Sequence, residues 1–278
     1  MSAITVSQAL AAARAAGLDR LDAQLLLGHV LQQSRTWLLA HDEAPLLPAQ
    51  TQEVQQLIAQ RAQGVPLAYL VGEREFHGLT LRVTPDVLVP RPDTETLVDW
   101  ALELLGPEAA NVIDLGTGSG AIALALKAAR PAWQVQALDC SAAALAVAQD
   151  NAQRLGLQVH FQRSHWLQAL ADHTQPAQPS QFDLIVSNPP YIDADDPHLS
   201  ALHAEPRGAL TPGPDGLSDL RDIIQSAPAH LHRGGWLLLE HGWNQADAVC
   251  QLLAQAGFQE VSTRYDLASQ PRCSGGRW

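Results

Sequence analysis

The chain has 278 residues, of which 46% are hydrophobic and 17% are charged, so it can form a large buried core and is not globally disordered. The formal net charge of −12 weighs against a protein that binds nucleic acid mainly through its phosphates, because such binding depends on Lys and Arg. The three cysteines and eleven histidines lack the spacing of a disulfide framework or of metal ligands, so we expect no metal and a reducing compartment, the cytoplasm. Neither a signal peptide nor an apolar run of membrane length occurs, so no membrane association is expected.

The first 65 residues are predicted to be helical. Apolar side chains recur there at helical spacing, and glycine follows two of the repeats, as is common after a helix. The predicted helices cover residues 7–16, 21–30, 37–40 and 49–63. No strand pattern occurs before Tyr69, so we predict a small helical domain over residues 1–65.

Residues 66–92 are predicted to be a linker that contains a β-hairpin. Apolar and polar side chains alternate over residues 73–83, and His77-Gly78 lies where a turn is needed. The Pro90-Arg91-Pro92 segment is extended, because a proline restricts the residue before it. Asp93 follows and is predicted to be the N-cap of a helix that ends near Gly106.

From Asn111 onward, short apolar strands alternate with helices, which predicts a doubly wound, mostly parallel α/β sheet in a domain over residues 93–278. The predicted strands cover residues 112–115, 135–138, 159–162, 182–187 and 236–240, and the predicted helices cover residues 121–130, 142–155 and 245–256. A Pro- and Gln-rich stretch, residues 172–181, is predicted to be a loop insertion.

A glycine-rich loop follows the first of these strands, where doubly wound sheets bind their ligands. Glycines let the backbone approach a ligand closely. The expected cofactor-binding residues of this loop are Gly116, Thr117, Gly118, Ser119 and Gly120. Asp139 ends the next strand about 20 residues later, where a carboxylate commonly accepts hydrogen bonds from ribose hydroxyls. The loop predicts a nucleoside cofactor, but it leaves NAD and S-adenosylmethionine both open.

The sequence Asn188-Pro189-Pro190-Tyr191 directly follows the strand 182–187 and so lies at the same rim of the sheet. The Asn188 side-chain oxygen and the Pro189 carbonyl are both hydrogen-bond acceptors for a planar N–H group. The prolines fix the backbone, and Tyr191 offers a flat aromatic face. We predict that Asn188, Pro189 and Tyr191 are catalytic and that all four residues bind the acceptor. Because a dehydrogenase has no use for this turn, it favours S-adenosylmethionine, with Asn188 also contacting the cofactor.

Several longer segments resemble one family over nearly the full length of the chain. They are Tyr69-Leu70-Val71-Gly72-Glu73, Pro90-Arg91-Pro92-Asp93-Thr94-Glu95, the glycine loop from Asp114 to Gly120, Phe182 to Tyr191, Glu205-Pro206, Asp215-Gly216-Leu217 and Glu240-His241-Gly242. These segments are similar to those of the HemK/PrmC family, the protein-(glutamine-N5) methyltransferases of peptide-chain release factors. The Pro-Arg-Pro segment and the helical domain before it are the most specific parts of the likeness.

The resemblance implies a Rossmann-like class I methyltransferase sheet and a helical domain that binds substrate. It implies that the acceptor is the glutamine of the Gly-Gly-Gln motif in class I release factors. It also implies that Trp166 lies beside the cofactor's adenine, with a packing aromatic as the alternative, and that Arg91 and Thr94 close over the pocket, with an ordinary helix start as the alternative. The long connection over residues 192–216 is expected to help clamp the substrate, unless it is disordered.

Two rival functions stay open at this point. An adenine or guanine exocyclic-amine methyltransferase acting on DNA or RNA would carry the same turn, although the acidic charge makes nucleic-acid binding unexpected. A protein that binds S-adenosylmethionine without catalysis would keep the fold, although the intact turn argues against it. A monomer is expected, because no pattern in the sequence requires an oligomer.

Overall fold

A computed structural model describes residues 4–171 and 181–278. These residues form two compact units. The first comprises the chain up to Glu73 together with Ala201–Ala204, and the second comprises Arg74–Ser200 together with Glu205–Trp278. The domain boundaries at residues 65 and 92 stay predictions. The predicted loop insertion at 172–181 lies, apart from Gln181, outside the described residues.

The first unit is helical, as the apolar spacing predicts. Thr5 begins it with a capping box, in which its side chain accepts from the Gln8 backbone and the Gln8 side chain accepts from the Thr5 backbone. Fully buried side chains such as Val6, Leu26 and Leu38 form its core. The helices are α1 (Val6–Ala15), α2 (Arg20–Leu31), α3 (Arg35–Ala40), α4 (Pro48–Ala62) and α5 (Leu67–Val71). Helix α5 was not predicted, because five residues are too few to show a helical period.

The predicted hairpin is present as β1 (Glu73–Phe76) and β2 (Leu79–Arg82). Its two turn residues both have positive φ, 48° at His77 and 78° at Gly78. Two such residues give a turn whose twist matches that of the paired strands.

The prediction that Asp93 caps the following helix is wrong. A 3-10 turn over Pro92–Thr94 precedes α6 (Glu95–Leu104), and no side chain caps the helix. Pro92 fixes φ at a value suited to a tight first turn, which moves the start of the α-helix past Asp93. The Asp93 carboxylate instead lies 3.3 Å from the Arg272 guanidinium.

A seven-stranded sheet forms the centre of the second unit, in the order β5-β4-β3-β6-β7-β9-β8. The first five strands in this order are parallel, and β9 runs antiparallel to both of its neighbours. This arrangement confirms the doubly wound, mostly parallel sheet. The strands are β3 (Asn111–Leu115), β4 (Gln134–Asp139), β5 (His160–Arg163), β6 (Phe182–Ser187), β7 (Leu231–Glu240), β8 (Gln259–Tyr265) and β9 (Pro271–Arg277).

Helices cover both faces of the sheet. Helices α6, α7 and α8 contribute to one buried cluster, with Val112, Leu184 and Leu238 of the sheet. Helices α10 and α11 contribute to the other, with Ile113 and Leu237, because successive strand residues point to opposite faces. The remaining helices are α7 (Ala121–Ala129), α8 (Ala142–Leu155), α9 (Gln168–Ala171), α10 (Ser218–Ser226) and α11 (Ala246–Gln255).

The strand order reverses at β3, which lies between β4 and β6. Leu115, at the end of β3, pairs with Leu138 of β4 on one side and with Ser187 of β6 on the other. The loops that leave these three strands therefore meet at one rim of the sheet, at the switch point where doubly wound folds bind ligands.

Candidate active site

The glycine loop is held open by hydrogen bonds to the neighbouring strand. The backbone N–H groups of Gly116 and Thr117 both donate to the Leu138 carbonyl, at 2.8 and 2.9 Å. Gly118 has a φ of 56°, and a Cβ built there would meet no protein atom within 4 Å. The backbone at Gly118 is therefore exposed to open space, where a ligand can approach it closely.

Asp114, on the strand β3 before the loop, stabilises the loop through a side-chain hydrogen bond. The Thr117 hydroxyl donates to its carboxylate at 2.7 Å, and the side chain is fully buried. Burial raises the pKa of Asp114 to about 7, and the hydrogen bond from Thr117 opposes this rise. Asp114 belongs to the motif, but it was not predicted to have a separate role.

Asp139 lies at the end of β4, as predicted, and faces the glycine loop. One carboxylate oxygen accepts from the Gly118 N–H at 2.9 Å, and the other accepts from the Ser141 N–H at 2.8 Å. Desolvation raises the pKa of Asp139. The carboxylate thus ties the loop to the next helix at the rim of the sheet.

Residues 116–119 of the glycine loop and Asp139 line a cavity of about 290 Å³. The structure brings most of the predicted site residues together in its walls: Arg91, Thr94, Gly116, Thr117, Gly118, Ser119, Asp139, Trp166, Asn188 and Pro190. Gly120 does not line the cavity; it lies at the start of α7, where an added Cβ would come within 3.2 Å of the Ala148 side chain of α8. That glycine allows α7 to pack closely, which is a different need from approach to a ligand.

Trp166 forms one wall of the cavity beside the glycine loop. Its backbone has a positive φ of 44°, uncommon for a residue other than glycine. A Cβ at Gly116 would lie 3.3 Å from the Trp166 ring. Gly116 therefore gives the indole room to pack against the loop. Trp166 also lines the cavity, where its aromatic surface suits a flat base such as adenine.

The four residues of the Asn-Pro-Pro-Tyr turn have different surroundings. Asn188 and Pro190 line the cavity, and Pro189 is buried. The Asn188 side-chain amide donates to the Thr94 hydroxyl at 3.2 Å. Tyr191 packs against the core of the sheet, and its hydroxyl donates to Glu240 at 3.2 Å.

A second part of the wall was not predicted residue by residue. It comprises Asp86, Val87 and Leu88 of the linker, Ser164, Asp219 of α10, and Pro206, Gly208 and Ala209 of the long connection. Buried Glu205 accepts from the Val89 N–H at 3.1 Å and forms an ion pair with Arg91. The sequence signal for these contacts is that the Pro-Arg-Pro and Glu-Pro segments both belong to the family resemblance.

The connection over residues 192–216 has a defined fold. Asp193 and Gly213 form an isolated bridge, and two 3-10 turns lie between them, Pro197–Leu202 and Arg207–Ala209. The Gln245 side chain donates to the carbonyls of both Tyr191 and Gly216, which closes the base of the connection.

The donor set fits a nucleoside cofactor. Gly118 offers open backbone, Asp139 offers a carboxylate and Trp166 offers an aromatic face, and all three line one cavity. Within residues 4–171 and 181–278, no cluster of three or more His, Cys, Asp or Glu side chains is arranged to hold a metal ion. None of the helices in the same ranges is long and apolar enough to cross a membrane.

A doubly wound sheet with a glycine loop after β3 and an Asn-Pro-Pro-Tyr turn after β6 defines a class I, S-adenosylmethionine-dependent methyltransferase. The solved structures that share this fold include the following two. The catalytic domain of hMettl16, in complex with a 3′UTR hairpin, has a TM-score of 0.57 and 15% identity, covering 82% of this chain and 81% of its own. A T. thermophilus 16S rRNA methyltransferase (RsmC), in complex with AdoMet and guanosine, has a TM-score of 0.54 and 22% identity. The match covers 74% of this chain and 49% of that methyltransferase.

Similar sequences identify the family to which the chain belongs within this class of methyltransferases. Residues 5–72 match the PrmC N-terminal domain, and residues 94–212 match the methyltransferase small domain. The chain is 54% identical to the release factor glutamine methyltransferase of Bordetella pertussis, over 94% of this chain and 95% of the relative. It is 43% identical to that of Escherichia coli K12, over 98% and 96%. The chain belongs to the release factor glutamine methyltransferase family, which confirms the resemblance seen in its sequence.

Proposed function

We propose that this chain transfers a methyl group from S-adenosylmethionine to the side-chain amide nitrogen of the glutamine in the Gly-Gly-Gln motif of class I release factors. One observation supports this most directly. Asn188 lines the cavity, and its amide nitrogen is engaged by Thr94. Its side-chain oxygen is thereby left as an acceptor for an incoming N–H group. The family to which the chain belongs supplies the acceptor.

The cofactor, when bound, supplies a methyl group activated by a positively charged sulfur. We assign its binding to the loop residues Gly116, Thr117, Gly118, Ser119 and Gly120, with Asn188 at the methyl end. Asp139 accepts hydrogen bonds from the ribose hydroxyls, and Trp166 lies beside the adenine. In this assignment Gly120 acts through the packing of α7, because it does not line the cavity.

The acceptor amide is a poor nucleophile, because its lone pair is delocalised into the carbonyl. Holding it in line with the methyl carbon is therefore the main task of the site. The Asn188 oxygen and the Pro189 carbonyl each accept one amide N–H. Pro190 lines the cavity beside the amide plane. Tyr191 packs against the core of the sheet, so in this proposal it supports the turn from the side away from the cavity. Arg91 and Thr94 close the pocket from the linker side.

The rest of the chain has a supporting role in this proposal. The helical N-terminal domain binds the release factor, and the connection over residues 192–216 helps to hold it. We propose that the protein acts in the cytoplasm as a monomer. Sedimentation of the purified chain, alone and with a release factor, measures both the oligomeric state and the complex.

The test is transfer of a labelled methyl group from S-adenosylmethionine. We expect label in a class I release factor and none in the same factor with the Gly-Gly-Gln glutamine replaced by alanine. Ribosomal RNA and duplex DNA serve as competing acceptors. Label in nucleic acid alone would overturn the proposal in favour of a nucleobase methyltransferase. Cofactor binding without transfer to any acceptor would favour a non-catalytic protein.

A further inference from the structure

Asn151 of α8 is a buried amide that contacts both the glycine loop and the end of the hairpin strand β2. The residue is 0% exposed. Its side-chain oxygen accepts from the Arg82 N–H at 2.7 Å, and its side-chain nitrogen donates to the carbonyls of Arg82 and Ser119, each at 2.9 Å. One nitrogen atom thus joins the hairpin to the loop.

The three partners fix the orientation of this amide. A backbone N–H only donates and a carbonyl only accepts, so the oxygen of Asn151 faces the Arg82 N–H and the nitrogen faces both carbonyls. Both protons of the nitrogen are used. An aspartate has the same size and could still accept from the Arg82 N–H, but it has no proton for either carbonyl.

The contact with Arg82 positions the segment over residues 83–91. Strand β2 belongs to a two-stranded sheet with β1, and the Asn151 amide pairs with both backbone groups of its last residue, as a neighbouring strand would. The chain then enters a turn, in which the Val87 N–H donates to the Thr84 carbonyl at 3.1 Å. Val87 lines the cavity, so the hairpin is held only a few residues before the cavity wall.

The contact with Ser119 positions the glycine loop. The peptide between Ser119 and Gly120 is planar, and it is held at both ends. Asn151 donates to its carbonyl, and its N–H donates to the Thr117 carbonyl at 2.8 Å. Ser119 lines the cavity, whereas Asn151 does not, so the asparagine supports this wall from behind.

We propose that Asn151 is a positioning residue that holds the glycine loop and the segment over residues 83–91 at a fixed separation, so that both walls close on S-adenosylmethionine together. Both segments contribute residues to the one cavity. Because their spacing is set before the cofactor arrives, binding loses less conformational freedom. The inference rests on the cofactor site of the proposed function and does not depend on the acceptor.

Binding of S-adenosylmethionine to two variants tests this role. We expect the calorimetric Kd to rise about tenfold in N151A and in N151D, the scale of one or two lost hydrogen bonds. N151D keeps the size of the side chain, so a loss that both variants share is not due to a packing gap. The kcat with a release factor at saturating cofactor is expected to stay within about twofold, because the contact between Asn188 and Thr94 does not involve Asn151.

D150A is the matched control. Asp150 precedes Asn151 on α8 and pairs at 3.2 Å with the exposed side chain of Arg82, not with its backbone. We expect its Kd to equal that of the wild type. An unchanged Kd in folded N151A and N151D, or an equal rise in D150A, would overturn the inference.

Hydrogen–deuterium exchange gives a readout that loss of stability alone would not change. The probe is S-adenosylhomocysteine, the unreactive product of the cofactor. At saturation we expect it to slow exchange over residues 116–120 and 83–91 in the wild type, but over 116–120 alone in N151D.

Equal protection of residues 83–91 in N151D would contradict the role of Asn151. No protection of that segment in the wild type would contradict it as well, and this measurement decides the question should both variants fail to fold. A wild type that binds the cofactor as expected but methylates no release factor would refute the proposed function alone.

Discussion

Asn188 is oriented by one side-chain hydrogen bond, which it makes to a residue 94 positions earlier in the chain. Removing its side chain leaves the glycine loop and Asp139 in place. We therefore expect Asn188→Ala to lower turnover by about tenfold to a hundredfold, the scale of a lost positioning contact, with cofactor affinity close to that of the wild type. Single-turnover methyl transfer and calorimetric titration of the cofactor measure the two effects. Near-normal turnover would refute the role assigned to this residue.

Gly118 tests the cofactor site separately from the chemistry. Its φ is 56°, and a Cβ there would meet no protein atom within 4 Å. Gly118→Ala is therefore expected to cost about 1 kcal/mol of folding free energy through backbone strain. Its methyl group would point into space assigned to the cofactor, so we expect affinity for S-adenosylmethionine to fall about tenfold or more.

Gly156 is the matched control for this change. It ends α8 with a φ of 66°, and it too has no neighbour within 4 Å of an added Cβ, but it does not line the cavity. Gly156→Ala is expected to show the same loss of stability with unchanged cofactor affinity. Equal affinities for the two variants would mean that Gly118 does not contact the cofactor.

The site residues that could be predicted from the sequence are those that lie within a short motif. The glycine loop and the Asn-Pro-Pro-Tyr turn each follow a strand, and the carboxyl ends of neighbouring parallel strands share a rim. The contact between Glu240 and Tyr191 was not predicted, because it joins residues 49 positions apart, one at the end of β7 and one in the turn after β6. Such partners depend on the order of strands in the sheet, which one sequence does not specify.

The ion pair between Arg91 and Glu205 connects the Pro-Arg-Pro segment with the long connection. The Glu205 side chain is 2% exposed, whereas that of Arg91 is 36% exposed. Glu205→Ala removes the acceptor of the Val89 N–H and leaves Arg91 partly in water. We expect the free energy of unfolding to fall by about 1–3 kcal/mol, the cost of an unsatisfied buried group, with faster amide exchange over residues 192–216.

Urea denaturation and hydrogen–deuterium exchange measure these two effects. The control is Glu103→Ala, which removes an exposed acid paired with Arg264. Exposed pairs contribute little, so its change is expected to stay within about 0.5 kcal/mol. A loss for Glu205→Ala no larger than that of the control would show that the closure does not depend on this ion pair.

Secondary structure was predictable wherever apolar side chains repeat with a clear period. Strands β3 to β6 and helices α7 and α8 are examples, with boundaries that differ by a residue or two. Strand β8 was not predicted because its residues are mostly exposed, and β9 was not because its buried stretch contains Gly275 and Gly276. A Cβ at Gly275 would lie 2.5 Å from the Leu237 carbonyl, so this glycine is needed for close strand approach rather than for a turn.

The fold of the second unit does not by itself specify a substrate. Two of the solved structures that share it are 15% and 22% identical to this chain, and both are described with RNA or a nucleoside. What separates this chain from them is its family, to which the N-terminal domain and the linker motifs belong. The sequence resemblance was therefore a better guide to the acceptor than the architecture of the sheet.

Asp114 and Glu240 are deeply buried acids of the second unit that make the stability of the protein depend on pH. Burial raises the pKa of Asp114 from 3.8 to about 7 and that of Glu240 from 4.5 to about 7. At pH values between the ordinary and the raised pKa of each acid, the folded state holds a proton that the unfolded state has lost. Each acid therefore lowers the free energy of unfolding as the pH rises through this interval. Each unit of pKa corresponds to about 1.4 kcal/mol, so a shift of two to three units corresponds to about 3–4 kcal/mol per acid.

Glu240→Gln removes one of these titrations. Relative to the wild type, the variant is expected to gain about 3 kcal/mol of unfolding free energy between pH 4.5 and pH 8. Any constant cost of the substitution cancels, because the comparison is between two pH values. Asp114→Asn is expected to show the same direction for the same reason. Urea denaturation of the wild type and both variants at the two pH values measures this difference. A stability difference that does not change with pH would show that the two acids ionise in the folded protein as readily as in the unfolded chain.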